Sequence, residues 1–238
     1  MSQVAMTRRQ LMVAAGWLGF ANIIGRTRCG VCDDSKISAT KPADAIARLK
    51  EGNQRFADGK PKHRHASREW RESLVSGQDP FAVLLGCADS RVPIELIFDQ
   101  GFGDLFVIRN AGNVIMEDVM GSIEYAALHL KTKLVVIMGH EGCGAVSAAL
   151  KSREERANEP PELQQVLKLI DPAIAHLDPG GKSVLKQAVA ANVRWSVNSS
   201  VRLRNQRNHP QARDITFVGA VYELKTGRVR FHGEAKPK

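Results

Sequence analysis

Four short stretches of the chain, residues 81–86, 105–108, 134–138 and 215–221, are apolar without polar alternation. Continuous apolar runs of this length suit parallel strands covered on both faces. Between and around them lie segments with helical spacing: 43–56, 67–75, 92–98, 122–130, 145–150, 163–177 and 183–203. In the first of these, Ile46, Leu49 and Phe56 recur on one face and predict an amphipathic N-terminal helical arm. Strands alternating with helices predict an α/β fold with a mostly parallel central sheet flanked by helices. Residues 223–232 place a Thr226-Gly227 turn between two strand-like pieces, so the sheet is expected to end in an antiparallel edge hairpin. Residues 33–42 are polar and read as a linker. Residues 158–162, with Pro160 and Pro161, read as a surface connection.

With 238 residues, 43% hydrophobic and 25% charged, the chain has enough material for one domain with a full core, expected over 33–238. A net charge of +9 invites a nucleic-acid reading. The basic residues are spread along the chain, aromatics are 5%, and no recognition motif is present, so no nucleic-acid partner is expected. The first 32 residues look separate from the fold. Arg8-Arg9 precedes a moderately apolar stretch, 11–24, broken by Gly16 and Gly19 and too short for a stable membrane span. Paired arginines before such a run read as a twin-arginine export address, which makes the protein periplasmic. The alternative is an amphipathic N-terminal helix on a cytoplasmic protein. Cys29 and Cys32 form a Cys-x-x-Cys pair in this segment, with no second pair to complete a four-thiolate site.

The remaining two cysteines carry the candidate chemistry. Cys87-Ala88-Asp89-Ser90-Arg91 and His140-Glu141-Gly142-Cys143 each follow a strand-like run. They therefore sit at strand ends, where open α/β sheets place their chemistry. Two thiolates and one imidazole form the ligand set of a zinc site with three protein ligands and an open fourth position. Gly139, Gly142 and Gly144 let the backbone turn tightly around an ion. Taken alone, Cys87 would be an inert core thiol and His140 a hydrogen-bonded strand-end histidine; their joint placement makes the metal reading. Asp89 has two open states. It is either a fourth ligand that closes the site, or it pairs with Arg91 and stays ionised off the metal. A third reading, a salt bridge that only shapes the turn, is kept beside these. His129, His176, His209 and His232 lack such context and are assigned to packing or surface. His63 and His65 lie in a basic segment that is a weak candidate for a mouth loop.

Cys-x-Asp-x-Arg followed about fifty residues later by His-x-x-Cys resembles the β-class carbonic anhydrases. The resemblance runs over 45–233 and includes Arg109-Asn110-Ala111-Gly112, Gly121-Ser122-Ile123-Glu124-Tyr125, Gly139-His140 and Cys143-Gly144. It implies reversible hydration of carbon dioxide to bicarbonate and a proton by a hydroxide held on one zinc ion per chain. Cys87, His140 and Cys143 match the zinc ligands. Asp89 would orient the nucleophile and Arg91 would hold Asp89. Gln78 matches a side-chain amide that bonds substrate oxygen, Phe106 and Tyr125 match aromatic pocket walls, and Ala111 matches a small residue near the carbon dioxide site. The resemblance also implies a homodimer or dimer of dimers, with the N-terminal helix embracing the neighbour. Thiolate ligands donate more charge than imidazoles, which implies a working pH on the alkaline side. Leu84 stands where members regulated by bicarbonate have tryptophan, so no such regulatory site is expected, although Arg109 matches another of its residues. Two alternatives stand beside this reading: a hydrolase of carbon disulfide or carbonyl sulfide built on the same site, and a non-catalytic zinc scaffold with Asp89 fixed on the metal.

Overall fold

The computed structural model describes residues 40–207, 210 and 214–235. The paired arginines, Cys29, Cys32, His209 and residues 33–39 of the linker lie outside the described residues. Five strands form one sheet in the order β2-β1-β3-β4-β5. They are β1 (Ala82–Cys87), β2 (Leu105–Asn110), β3 (Leu134–His140), β4 (Thr216–Tyr222) and β5 (Val229–Ala235). The first four pair in parallel, and β4 with β5 is the antiparallel edge hairpin that the Thr226-Gly227 turn predicts. β1 and β3 are buried at every position. That is why they read as unbroken apolar runs.

Successive side chains of a strand point to opposite faces, and the core divides accordingly. Ala82, Leu84, Leu134, Val136 and Met138 face α1 (Pro42–Ala57) and α3 (Ile94–Ile97). Val83, Leu85, Val135 and Ile137 face α4 (Glu117–His129) and the long α8 (Val184–Arg207). A third apolar cluster sits at the carboxyl ends of the strands. There Cys87 and Cys143 pack with α5 (Gly144–Ala149), α7 (Pro161–Ile174) and the start of α8.

Several boundaries differ from the pattern, three of them for a clear physical reason. α3 is four residues long because Pro93 occupies its N-cap position, so 92 falls outside the helix. α4 begins at Glu117 and not at 122; Glu117 and Asp118 suit the positive end of a first turn, and the helix runs through Gly121. α7 starts at Pro161, inside the stretch read as a connection, since proline costs nothing at a helix start. α2 (Arg68–Ser73) falls where predicted, capped by the Ser67 hydroxyl, which accepts from Trp70 N. α6 (Arg153–Arg156) carries no apolar residue and so gives no periodic signal; a Ser152–Glu155 capping box holds it. Among the described residues no helix is long and apolar enough to cross a membrane.

α8 lies unusually close to the sheet. A Cβ at Gly139 on β3 would stand 2.7 Å from Val193 Cγ2, and one at Gly219 on β4 would stand 2.9 Å from Val193 Cγ1. Two adjacent strands thus lack side chains under one valine, and the helix settles onto bare backbone.

Candidate metal centre

β1 ends on Cys87 and β3 ends on His140, on neighbouring strands of the sheet. After His140 the chain turns through Gly142, at φ 65°, a conformation that a side chain would strain. This turn delivers Cys143 to the N-cap of α5. The Cys87 and Cys143 sulfurs are 3.9 Å apart, and the ligand atoms of Cys87, His140 and Cys143 all lie within 4.8 Å of one another. The three side chains predicted from their spacing therefore converge.

Whether these residues suit a metal can be tested on the geometry. A tetrahedral ion with bonds of about 2.3 Å to sulfur needs its sulfurs about 3.8 Å apart. The observed separation matches this and is far beyond a disulfide bond of about 2.05 Å. His140 is fully buried, and its Nδ1 donates to the Glu141 carbonyl at 2.9 Å. That bond leaves Nε2 as the lone-pair nitrogen, and Nε2 has no hydrogen-bond partner among the described residues. A buried lone pair without a partner is costly unless a cation uses it. The Cys87 thiol is pulled down, first by the Cys143 thiol that donates to it and then by His140 and the Gly112 N–H, against the opposing effect of burial. Two soft sulfurs with one imidazole suit zinc.

Beside this triad, Arg91 grips Asp89 with both ends of its fork. Nε meets Oδ1 at 2.9 Å and Nη2 meets Oδ2 at 2.7 Å. The Arg91 backbone N–H also donates to Oδ1 at 2.9 Å. This side-chain pair holds the Asp89 carboxyl well below the usual carboxylate range, against some desolvation. Arg91 further donates to the Gly142 carbonyl at 3.3 Å, tying the Cys87 turn to the His140–Cys143 turn. Of the two states open to Asp89, the arginine-held one is observed. Its Oδ2 stands 3.8 Å from His140 Nε2, outside hydrogen-bond range.

The other expected site residues separate into two groups. Ala111 is exposed and directly precedes Gly112, whose N–H points to the Cys87 sulfur at 3.5 Å. Phe106 and Tyr125 pack on each other, with ring centroids 6.2 Å apart, but Phe106 pairs with Val83, four residues before Cys87. Gln78 is exposed and precedes β1, at the opposite end of the strands from Cys87. Within one chain neither Gln78 nor the aromatic pair reaches the triad. His65 is also at the far end of the strands, stacked on Trp70 and bonded to Asp104, just before β2; it forms no mouth to the metal centre. Leu84 is a fully buried core residue. Arg109 donates to the carbonyls of Cys87, at 3.1 Å, and Asp89, at 2.8 Å, bracing the turn between them.

Comparison with known proteins agrees with this centre. The carbonic anhydrase family model matches residues 82–229. Carbonic anhydrase 2 of Mycobacterium tuberculosis is 39% identical over 197 residues, which cover 79% of this chain and 92% of that protein. A carbonic anhydrase of Mycolicibacterium smegmatis is 39% identical over 195 residues, covering 80% of this chain and 93% of that protein. Among solved structures, the β-carbonic anhydrase CcaA aligns with a TM-score of 0.59 at 29% identity, over 82% of this chain and 93% of that one. The Coccomyxa β-carbonic anhydrase solved with acetazolamide aligns with a TM-score of 0.60 at 26% identity, over 80% and 88% of the two chains. With the family model covering both metal motifs and the four parallel strands that align them, the chain belongs to the β-class carbonic anhydrases.

Proposed function

We propose that Cys87, His140 and Cys143 hold one zinc ion per chain and that the protein catalyses the reversible hydration of carbon dioxide to bicarbonate and a proton. The observation that carries this reading is a converged pair of sulfurs and a lone-pair imidazole nitrogen beside a carboxylate kept off them by Arg91. When bound, zinc supplies a Lewis acid that makes water a nucleophile near neutral pH. The chain's own residues do the rest. Asp89, held ionised by Arg91, would accept a hydrogen bond at Oδ2 from the attacking oxygen and so orient it. Arg91 would also keep the carboxylate from serving as a ligand itself. Ala111, with only a methyl group, leaves room for a small linear substrate at the exposed side of the turn.

The separation of Gln78, Phe106 and Tyr125 from the triad supports a site completed by a second copy of the chain. Tyr125 is 48% exposed, and β2, at the sheet edge, is covered less completely than β1. A homodimer along that edge would present these three side chains to the partner's metal centre. The purified protein is expected to show at least twice the chain mass by light scattering, one zinc per chain by atomic emission, and acceleration of carbon dioxide hydration in stopped flow. A folded, zinc-loaded protein without hydration activity would end the reading in favour of a scaffold.

Arg8-Arg9 ahead of the apolar stretch supports export to the periplasm by the twin-arginine route. Arg8→Lys together with Arg9→Lys is expected to leave the protein in the cytoplasmic fraction of a host with that route. Unchanged export of the double variant would remove the assignment.

A further inference from the structure

α8 buries polar residues where an amphipathic helix would bury apolar ones. Asn192, Ser196, Ser200 and Arg204 recur every four residues, all buried, on a face directed into the protein. The first two reach the turn Ala111–Asn113, a single 3-10 turn after β2. Asn192 Nδ2 donates to the Gly112 carbonyl at 2.8 Å, and Ser196 Oγ donates to the Asn113 carbonyl at 3.3 Å. Gly112 is the residue whose N–H points at the Cys87 sulfur. It is also confined: φ is 72°, and a Cβ there would meet Ile170 Cδ1 at 3.0 Å and Ala145 Cβ at 3.2 Å. The carbonyl and the N–H of Gly112 belong to the peptides on either side of its Cα, so the grip of Asn192 acts on the N–H by holding Gly112 at φ 72°, the conformation in which that N–H points at the sulfur.

Asn192 makes this bond at a cost. It is 1% exposed, and its Oδ1 has no partner among the described residues. A side chain present only to fill space would serve better as leucine, because a buried unpaired acceptor is unfavourable. The donor Nδ2 is the part of Asn192 that is used.

We propose that Asn192 is a positioning residue for the Cys87 ligand, acting through Gly112 to aim a backbone N–H at the sulfur. Hydrogen bonds to a ligating sulfur lower the energy of its lone pairs and set how strongly it holds the metal. The inference rests on the reading of Cys87 as a metal ligand.

The test uses the full chain loaded with Co²⁺, whose sulfur-to-metal charge-transfer absorption reports on the ligand sulfur. Asn192→Leu is expected to move that absorption to longer wavelength, because the sulfur lone pairs rise when the N–H loses its aim. By the same rise the sulfur becomes the stronger donor, so the zinc-loaded variant is expected to release its metal to a chelator on the order of ten-fold more slowly than wild type. Ser196→Ala, which loses a bond to the neighbouring carbonyl, should leave both readouts unchanged. Should Asn192→Leu not fold, Asn192→Ser provides the same comparison with a side chain too short to reach Gly112. A folded variant with the wild-type spectrum and release rate overturns the proposal. A wild-type protein that takes up no cobalt overturns the metal reading, and this inference with it.

Discussion

Cys87→Ser is expected to reduce bound zinc from about one ion per chain to almost none, and carbon dioxide hydration to the uncatalysed rate. The reason is the donor. A thiolate binds zinc as an anion, whereas a serine hydroxyl stays protonated near neutral pH and is a poor ligand. Metal binding in sites of this kind contributes on the order of 10 kcal/mol, so losing one of three anchors removes most of the occupancy. The change in volume is small and Cys87 is 5% exposed within an apolar cluster, so the sheet should survive. Circular dichroism would establish that the variant folds, and metal analysis would then decide. Stoichiometric zinc with full activity in Cys87→Ser would exclude the assigned ligand set.

The second large effect concerns Arg91. Arg91→Ala is expected to keep the metal and lose activity by about a hundred- to a thousand-fold, within the range for removing a positioned acid–base group. The bidentate grip at 2.7 and 2.9 Å is what keeps Asp89 off the centre. Without it, a carboxylate already 3.8 Å from the ligand nitrogen is free to fill the open position. The pair also sets a pH dependence. Arg91 lowers the folded-state pKa of Asp89, so the stabilisation from ionised Asp89 is present above the ordinary carboxylate range and is lost as pH falls below it. The alanine variant should show less of this loss. In an Asp89→Asn background, which has already lost the orienting carboxylate, Arg91→Ala should lower activity no further. A further loss there, with zinc bound, would show that Arg91 acts on something other than Asp89.

These two predictions involve residues visible in the sequence, because each sits in a short motif after an apolar run. The central strands were legible for the same reason: buried on both faces, they tolerate no polar residue, so β1 and β3 stand out almost to the residue. The hairpin was legible from Thr226-Gly227, where Gly227 takes φ 72°. α6 was not, since Arg-Glu-Glu-Arg has no apolar face and only its capping box makes it a helix. The start of α4 was obscured by Gly121, which interrupts a helical pattern without ending the helix. Asn192 was the least legible. In sequence, Asn192, Ser196 and Ser200 look like a solvated face, and the partner of Asn192 lies 80 residues away. Only the folded chain shows that this polar stripe points inward. Gln78, Phe106 and Tyr125 illustrate another limit. The resemblance to the β-class carbonic anhydrases implied their roles, but one chain does not bring them to the metal, and a linear string carries no mark of which copy a side chain will serve.

The bare backbone beneath Val193 limits how the enzyme can be re-engineered. Thermostabilising schemes commonly exchange strand glycines for alanine or valine, yet at positions 139 and 219 the added carbon would lie 2.7 and 2.9 Å from the same valine. Such a change would push the helix outward, one residue away from the amide that grips Gly112 and one residue before the histidine ligand. Hardening this protein against heat must therefore begin on its outer helices, with the seam between α8 and the sheet left as it is.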